Sequence, residues 1–319
     1  MKKHLWTIVY GLLLTAFTAY IALDTFVLSS AYQTGATEMN TAMFAPAETA
    51  VTPAPAPEAT ATPEPEVTPT PEPEDPVPLG WTEHSYRDEN IRIELTERTE
   101  YNTHIYIADI RISSVEYLKA AFARDTYGKN VRGLTSDIAE AHNAILAVNG
   151  DYYGAQEKGF VLRNGVLYRK ITNKKDVLCV WPDGRMTIED SYARKADELA
   201  AEGAWQIFCF GPGLIEDGQV IVGTRDEVRV SAKSNPRTAI GMIEPGHYIF
   251  AVSDDRTDAS EGLSLYELAT VLQSLGVTVA YNLDGGGSST MVFNGAVVNR
   301  PTSYGNIRER VVSDIVYIG

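Results

Sequence analysis

Cysteine and histidine are scarce in this chain: its 319 residues hold two cysteines, Cys179 and Cys209, and five histidines, His4, His84, His104, His142 and His247. Two thiols cannot assemble a cysteine-rich zinc or iron–sulfur site, and the absence of any His-x-x-x-His pair argues against a zinc hydrolase. Positive charge is short as well, with 27 Lys and Arg against 42 Asp and Glu, a net of −15. Nucleic acid binding needs clustered positive surface, so the balance argues against nucleic acid as a partner. What is present is a 44% hydrophobic content, enough to bury a sizeable core in one large domain or two ordinary ones.

Met1-Lys2-Lys3-His4 forms a basic head, and residues 5–22 follow it without a charge. That run is long enough to span a bilayer and exceeds the usual core of a signal peptide. Residues 1–30 therefore read as an uncleaved signal anchor, with the head in the cytoplasm and the rest of the chain on the extracytoplasmic face. The competing reading is cleavage at Ser29-Ser30-Ala31, which would release a secreted protein. Residues 31–79 read as a linker: 11 of the 16 prolines fall within 46–79, among Thr, Ala and Glu and without a Lys or Arg. Proline at that density predicts a disordered, semi-rigid stalk of about 3 Å per residue. Its seven acids leave −8 for the remainder, so much of the acidity belongs to the linker.

Residues 80–319 read as one domain. Period-two alternation over 91–95 and 104–112 predicts two paired strands. Asn164-Gly165, Asp183-Gly184, Asp217-Gly218, Pro245-Gly246 and Asn294-Gly295 each separate β-branched or aromatic runs, which is a hairpin signal. Helices are fewer. Ser264-Leu265-Tyr266-Glu267 is a capping box ahead of an apolar helix that stops at Gly276, and two more are expected over about 136–143 and 192–202. The expected class is α+β, a strand-rich mixed sheet with a few helices, preceded by the membrane helix and stalk.

The candidate site residues gather at the ends of apolar strands. Asp284-Gly285-Gly286-Gly287-Ser288-Ser289-Thr290 follows the strand 277–283. Three consecutive glycines favour close backbone approach or positive φ, and the exposed amides of such a loop can form an anion nest. The segment is neither a Walker loop nor a dinucleotide fingerprint, and no serine elbow is present. Asn235-Pro236-Arg237-Thr238 sets an arginine, a planar fork for phosphate or carboxylate, at the start of another strand. Asn149-Gly150-Asp151-Tyr152-Tyr153 ends a third, with aromatics able to stack on a sugar or to fill a core. Asp254, Asp255 and Asp258 with Arg256 end a fourth; they invite a calcium ion, although an EF-hand glycine is missing. Cys179 and Cys209 sit in apolar strands and read as buried small hydrophobes, with a disulfide as the alternative.

Taken in order, Ala147-Val148-Asn149-Gly150, Asn235-Pro236-Arg237-Thr238-Ala239-Ile240-Gly241, Asp255-Arg256 and Asn282-Leu283-Asp284-Gly285-Gly286-Gly287-Ser288-Ser289-Thr290-Met291 resemble the phosphodiester glycosidase family. The tail Arg308-Glu309-Arg310-Val311-Val312-Ser313 is similar to its closing motif, while Asp151 and the Tyr pair depart from the usual pattern. The resemblance implies hydrolysis of a sugar 1-phosphodiester, and the expected extracytoplasmic location alone points to a cell-surface glycan as its carrier. Its leaving group is a phosphate monoester, so a cation matters more than a strong general acid. Arg237, helped by the amides of Gly285, Gly286, Gly287, Ser288 and Ser289, is expected to hold the phosphate. Asp284 or Asp255 is expected to act as nucleophile or base. Asn149, Gly150, Asp151, Thr238, Arg256 and Arg310 complete the expected substrate contacts. The rival is a non-catalytic, membrane-tethered glycan-binding module; no histidine cluster or polycarboxylate metal site supports a nuclease or lipid phosphodiesterase.

Overall fold

The structure is a computed structural model that describes residues 2–35, 39–44, 78–223, 234–254, 257 and 260–319. The proline-rich stretch up to residue 77, and with it the expected stalk, lies outside the described residues, as do Asp255, Arg256 and Asp258. Lys2–Phe26 is one helix. Within it Ile8–Thr25 is long and apolar enough to cross a membrane, and none of that window is buried.

The segment after this helix lies against the domain. Ser30–Thr34 pairs antiparallel with Thr126–Lys129. Asn130 Nδ2 donates to the carbonyls of Thr25 and Leu28 at 3.2 and 3.0 Å, and Lys129 Nζ reaches Asp24 Oδ2 at 3.4 Å. Further on, Phe44 packs edge-on against Trp205 with ring centroids 4.9 Å apart. The described part of 31–44, expected to belong to the linker, is therefore strand and packed 3-10 turn.

Three sheets build the domain. The largest has nine strands in the order Gln219–Val220, Gly213–Glu216, Val279–Asn282, Arg237–Glu244, His247–Ser253, Thr103–Ile112, Ile91–Glu100, Ser85–Arg87 and Gly80–Trp81. A five-stranded sheet runs Ala296–Val297, Met291–Phe293, Leu146–Asn149, Asp314–Ile318, Leu118–Phe122. Another five-stranded sheet runs Val166–Arg169, Val161–Arg163, Gln206–Phe208, Asp176–Val180, Met186–Asp190. Where the sequence predicts a mixed sheet, every pairing among the described residues is antiparallel. The physical reason is the density of short turns, since parallel neighbours need long crossovers and hairpins do not.

Period two decides what each strand buries. Along Thr103–Ile112, Ala108, Ile110 and Ile112 join the core shared by the three sheets, whereas Ile105 and Ile107 face the opposite way. Along His247–Ser253, Tyr248, Phe250 and Val252 point to the shared core, and Ile249 and Ala251 point away. The second face is covered by the helix Leu265–Ser274, through Leu265, Leu268, Ala269, Val271 and Leu272. Ser264 caps this helix as expected, with its hydroxyl accepting from the Glu267 amide at 3.1 Å and the Glu267 carboxylate accepting from the Ser264 amide at 2.8 Å.

The two shorter helices are trimmed relative to expectation. Thr135–Ala141 ends before Asn143, which takes a left-handed φ of 51°. Ala196–Ala201 starts late because the Asp190 carboxylate accepts the Tyr192 amide at 2.8 Å and makes a turn of residues expected to be helical. Both cysteines are buried and free. Leu268 is fully buried between helix and sheet, so Leu268→Ala should cost about 2–5 kcal/mol in urea unfolding, while Tyr266→Ala on the exposed face of the same helix should cost under about 1 kcal/mol.

Candidate functional site

Two neighbouring strands of the nine-stranded sheet, Arg237–Glu244 and Val279–Asn282, are in register with Ala239 opposite Asn282. The chain leaving the second strand stays beside the first, because the Leu283 amide donates to the Thr238 carbonyl at 2.9 Å and the Gly286 amide to the Pro236 carbonyl at 2.8 Å. This close approach explains the first glycine of the triplet: a Cβ on Gly285 would stand 2.8 Å from the Pro236 oxygen. Gly286 has a φ of 62°, a left-handed conformation that a side chain would strain. A Cβ on Gly287 would meet the Ser303 hydroxyl at 3.1 Å.

At the end of this path Asp284, 8% exposed, meets two of the expected contacts. Its Oδ2 accepts from Ser288 Oγ at 2.6 Å and from Arg310 Nη2 at 3.1 Å. Arg310 also donates from Nε to Ser288 Oγ at 2.9 Å and from Nη2 to the Gly285 carbonyl at 3.1 Å, and its Nη1 has no partner among the described residues. Burial holds the Asp284 carboxyl above its ordinary 3.8, against the opposing pull of Arg310 and the Ser288 hydroxyl.

Arg237 sits elsewhere. It shares the strand face of Ala239, and its Nε donates to the Leu263 carbonyl at 2.8 Å. Among the described residues no ion pair joins it directly to Asp284, and its Cα lies 3.8 Å from where a Cβ on Gly285 would stand. The glycine-loop amides, expected to cradle an anion, are largely committed to closing the loop: Gly286 donates to Pro236, Ser288 to Gly285 at 3.3 Å and Ser289 to Gly286 at 3.1 Å.

Asn149 is a buried cross-link. Its Oδ1 accepts from Thr238 Oγ1 at 2.8 Å and from the Thr290 amide at 3.2 Å, while its Nδ2 donates to the Asp284 carbonyl at 2.6 Å and the Gly150 carbonyl at 3.3 Å. Its donors and acceptor are thus spent inside the protein, as is the Thr238 hydroxyl, so these two position Asp284 instead of reaching a sugar hydroxyl. Gly150 continues the support. Its carbonyl accepts from the Asp284 amide at 3.2 Å, and no side chain fits there, because a Cβ would lie 2.1 Å from Asp314 Oδ1.

Asp151 also turns inward. Its Oδ2 lies 2.9 Å from Arg163 Nη2, and the same guanidinium reaches Asp314 Oδ2 at 2.8 and 3.0 Å through Nη2 and Nε. All three side chains are essentially unexposed. Asp151 Oδ2 further accepts from the Cys209 amide at 2.8 Å. Arg163 donates to the carbonyls of Leu162 and Ile207 and lies over the Phe208 ring at 4.2 Å. The spacing of Arg163 and Asp314 in the sequence carried no sign of this triad; the one available signal was a lone charge inside each apolar strand. Tyr153 is core, stacked on Tyr127 with centroids 5.4 Å apart, whereas Tyr152 is 38% exposed. For a metal, no group of three or more His, Cys, Asp or Glu able to hold an ion occurs among the described residues.

A carboxylate, a hydroxyl and a guanidinium thus meet beside the end of the strand Val279–Asn282 in an antiparallel, three-sheet domain. The chain belongs to the phosphodiester glycosidase family, whose model matches residues 142–319. It is 40% identical over 166 residues to N-acetylglucosamine-1-phosphodiester alpha-N-acetylglucosaminidase of Homo sapiens, covering 47% of this chain and 28% of that one. It is 26% identical over 179 residues to the SPbeta prophage-derived uncharacterized protein YomE of Bacillus subtilis (strain 168), covering 54% of this chain and 28% of that one. The chain thus spans about a quarter of the length of these relatives. Among solved structures, the catalytic domain of the zebrafish N-acetylglucosamine-1-phosphodiester alpha-N-acetylglucosaminidase shares the fold, with a TM-score of 0.58, 20% identity and coverage of 72% of this chain and 82% of that one. A hypothetical protein from Synechocystis superposes with a TM-score of 0.59 at 15% identity, over 73% of this chain and 63% of that one.

Two expectations follow from the triad. Desolvation, with Asp151 close by, raises the Asp314 carboxyl despite Arg163, so protons bind the folded state more tightly than the unfolded chain above the ordinary carboxylate range. Stability should fall as pH rises through that window, and the drop in Tm between pH 5 and pH 8 should shrink in Asp314→Asn. Gly150→Ala should destabilise by about 2–4 kcal/mol in urea unfolding, since both the carboxylate and the backbone it meets are fixed.

Proposed function

We propose that this chain is a glycosidase that hydrolyses phosphodiester-linked sugars, held by its N-terminal helix on the extracytoplasmic face of a membrane and acting on cell-surface glycans. The observation that carries the reading is the Asp284–Ser288–Arg310 cluster: a nearly buried carboxylate and a guanidinium with an uncommitted Nη1, at the strand ends of a family member. The names of the mammalian relatives support the same reaction class.

In this mechanism the bond between the anomeric carbon and the phosphate oxygen breaks, and its electron pair leaves with the phosphate. Arg310 Nη1 receives the developing negative charge, an electrostatic role that grows as the bond lengthens. Asp284 acts in its ionised form, as nucleophile towards the anomeric carbon or as base towards the incoming water. Water supplies the hydroxyl that ends on the sugar, and its proton is released to solvent once the phosphate monoester has departed. Ser288 fixes the carboxylate and guanidinium relative to each other. Thr238 and Asn149 act from behind as positioning residues, through the Leu283 amide and the Asp284 carbonyl. Asp255 is the alternative carboxylate for the role of nucleophile or base.

Release of free sugar from a panel of α-linked sugar 1-phosphodiesters by the full chain, with and without chelator, tests the reading. Asp284→Asn should lower kcat by about 10²–10⁴-fold. Arg310→Gln should lower kcat/KM by about 10²–10³-fold. The acid limb of the pH–rate profile should lie above 3.8 and move to higher pH in Arg310→Gln, because the cation that favours the ionised Asp284 is removed. Absence of turnover on every substrate, together with binding to surface polysaccharide, would replace the enzyme with a binding module.

A further inference from the structure

Arg310 is also the wall of a second space. A groove of about 340 Å³ is lined by Arg132, Tyr152, Ser303, Tyr304, Arg308 and Arg310 with Glu309 and Val311. It is joined to Asp284 by the Arg310 side chain, whose Nη2 donates to Asp284 Oδ2 at 3.1 Å.

The charge in this groove is unlike that of the rest of the chain. With 42 acids against 27 bases, several arginines on the outer surface find carboxylates: Arg185 with Asp183 at 2.6 Å, Arg194 with Glu202 at 2.6 Å, Arg98 with Glu100 at 3.8 Å. Arg132 and Arg308 have no carboxylate within ion-pair reach among the described residues. Glu309, the acid beside them, is already committed to the helix Thr135–Ala141, where its oxygens accept from the Ser136 amide at 3.1 Å and the Ser136 hydroxyl at 2.6 Å. Arg132 is held by donating from Nη2 to Asn130 Oδ1 at 2.7 Å, and its Nε is buried without a partner. Arg308 is presented over the Tyr304 ring, 5.4 Å from its centroid.

The two tyrosines are unusual as well. Tyr152 and Tyr304 both take left-handed backbone conformations, with φ of 65° and 51°, and both are exposed, 38% and 81%. A bulky residue pays a steric cost there, and neither ring is repaid by burial. Two such rings on one groove flanked by unpaired guanidiniums match a ligand with a ring or polyol face and a negative group.

Resting on the glycosidase reading, we propose that this groove is a second anion subsite, which makes the protein selective for sugar phosphodiesters whose aglycone carries a further phosphate. Arg310 serves the scissile phosphate, Arg132 and Arg308 serve the second one, and Tyr152 and Tyr304 flank the connecting atoms.

The test compares kcat/KM of the full chain on a sugar 1-phosphoglycerol and on the same compound with a phosphate on the far glycerol hydroxyl. The wild type should prefer the phosphorylated aglycone by about tenfold, and Arg132→Gln/Arg308→Gln should reduce that ratio to about one, the equivalent of about 1.4 kcal/mol. Arg308→Gln alone, an exposed side chain, keeps the test if the double variant does not fold. Binding of inorganic tripolyphosphate, followed by calorimetry, should weaken about tenfold in the same variants and needs no turnover. Weakened binding without turnover by any form would keep the subsite and remove the reaction. A wild-type preference near one, or a preference that survives both substitutions, would overturn the subsite and leave the reaction standing.

Discussion

A single buried amide holds the site together. Asn149 ends a strand of one sheet, yet its side chain bonds to Thr238 on a strand of another, to the carbonyl of Asp284 and to the amide of Thr290. Each of these groups is buried, and each would lose its partner if Asn149 were shortened; an unmet buried polar group costs about 1–3 kcal/mol. The consequence is geometric as much as energetic. Asp284 is fixed from its backbone by Asn149 and Gly150, and from its side chain by Ser288 and Arg310. A carboxylate held at both ends has little freedom to follow a substrate, which is the condition for preorganised catalysis.

The triad of Arg163, Asp151 and Asp314 supports the same region by a costlier device. Two carboxylates share one cation out of water, leaving a formal negative charge in the interior when both are ionised. Such an arrangement persists only where the remaining lone pairs are met, and here the Cys209, Tyr153 and Asp151 amides meet them. Its placement explains why Gly150 carries no side chain: the Asp314 carboxylate occupies the position of a Cβ. Sequence neighbours Asn149, Gly150 and Asp151 thus look like one motif but make different contacts, the first two with the Asp284 backbone and the third with Arg163.

The contrast between what the sequence shows and what it hides follows from the distance over which each signal acts. Asn164-Gly165, Asp217-Gly218 and Asn294-Gly295 close hairpins in which both residues take positive φ, a requirement written in two adjacent letters. The Ser264 cap and the Leu268 stripe are written within one helix. Asp284 and Ser288 stand out in the glycine-rich loop itself, whereas Arg310, 26 positions beyond Asp284, was legible only through family resemblance. Arg163 and Asp314 are 151 positions apart, and nothing in either strand names the other. Arg237 shows the limit of a local signal: the proline before it marks where the strand starts, but not that strand alternation puts it on the face of Ala239, with its Nε donating to the Leu263 carbonyl.

The acidity of the whole chain does not oppose an anionic substrate at this site. Screening confines surface charges to roughly 8–10 Å at ordinary ionic strength, so a net charge summed over the whole chain does not set the potential at Asp284. The nearest fixed charges decide. Asp284 alone would repel a phosphate, and Arg310 alone would bind one without any group to react. They stand 3.1 Å apart, with one guanidinium nitrogen unspent, which is the pairing the proposed reaction needs. Ser288 touches both partners and therefore sets their spacing.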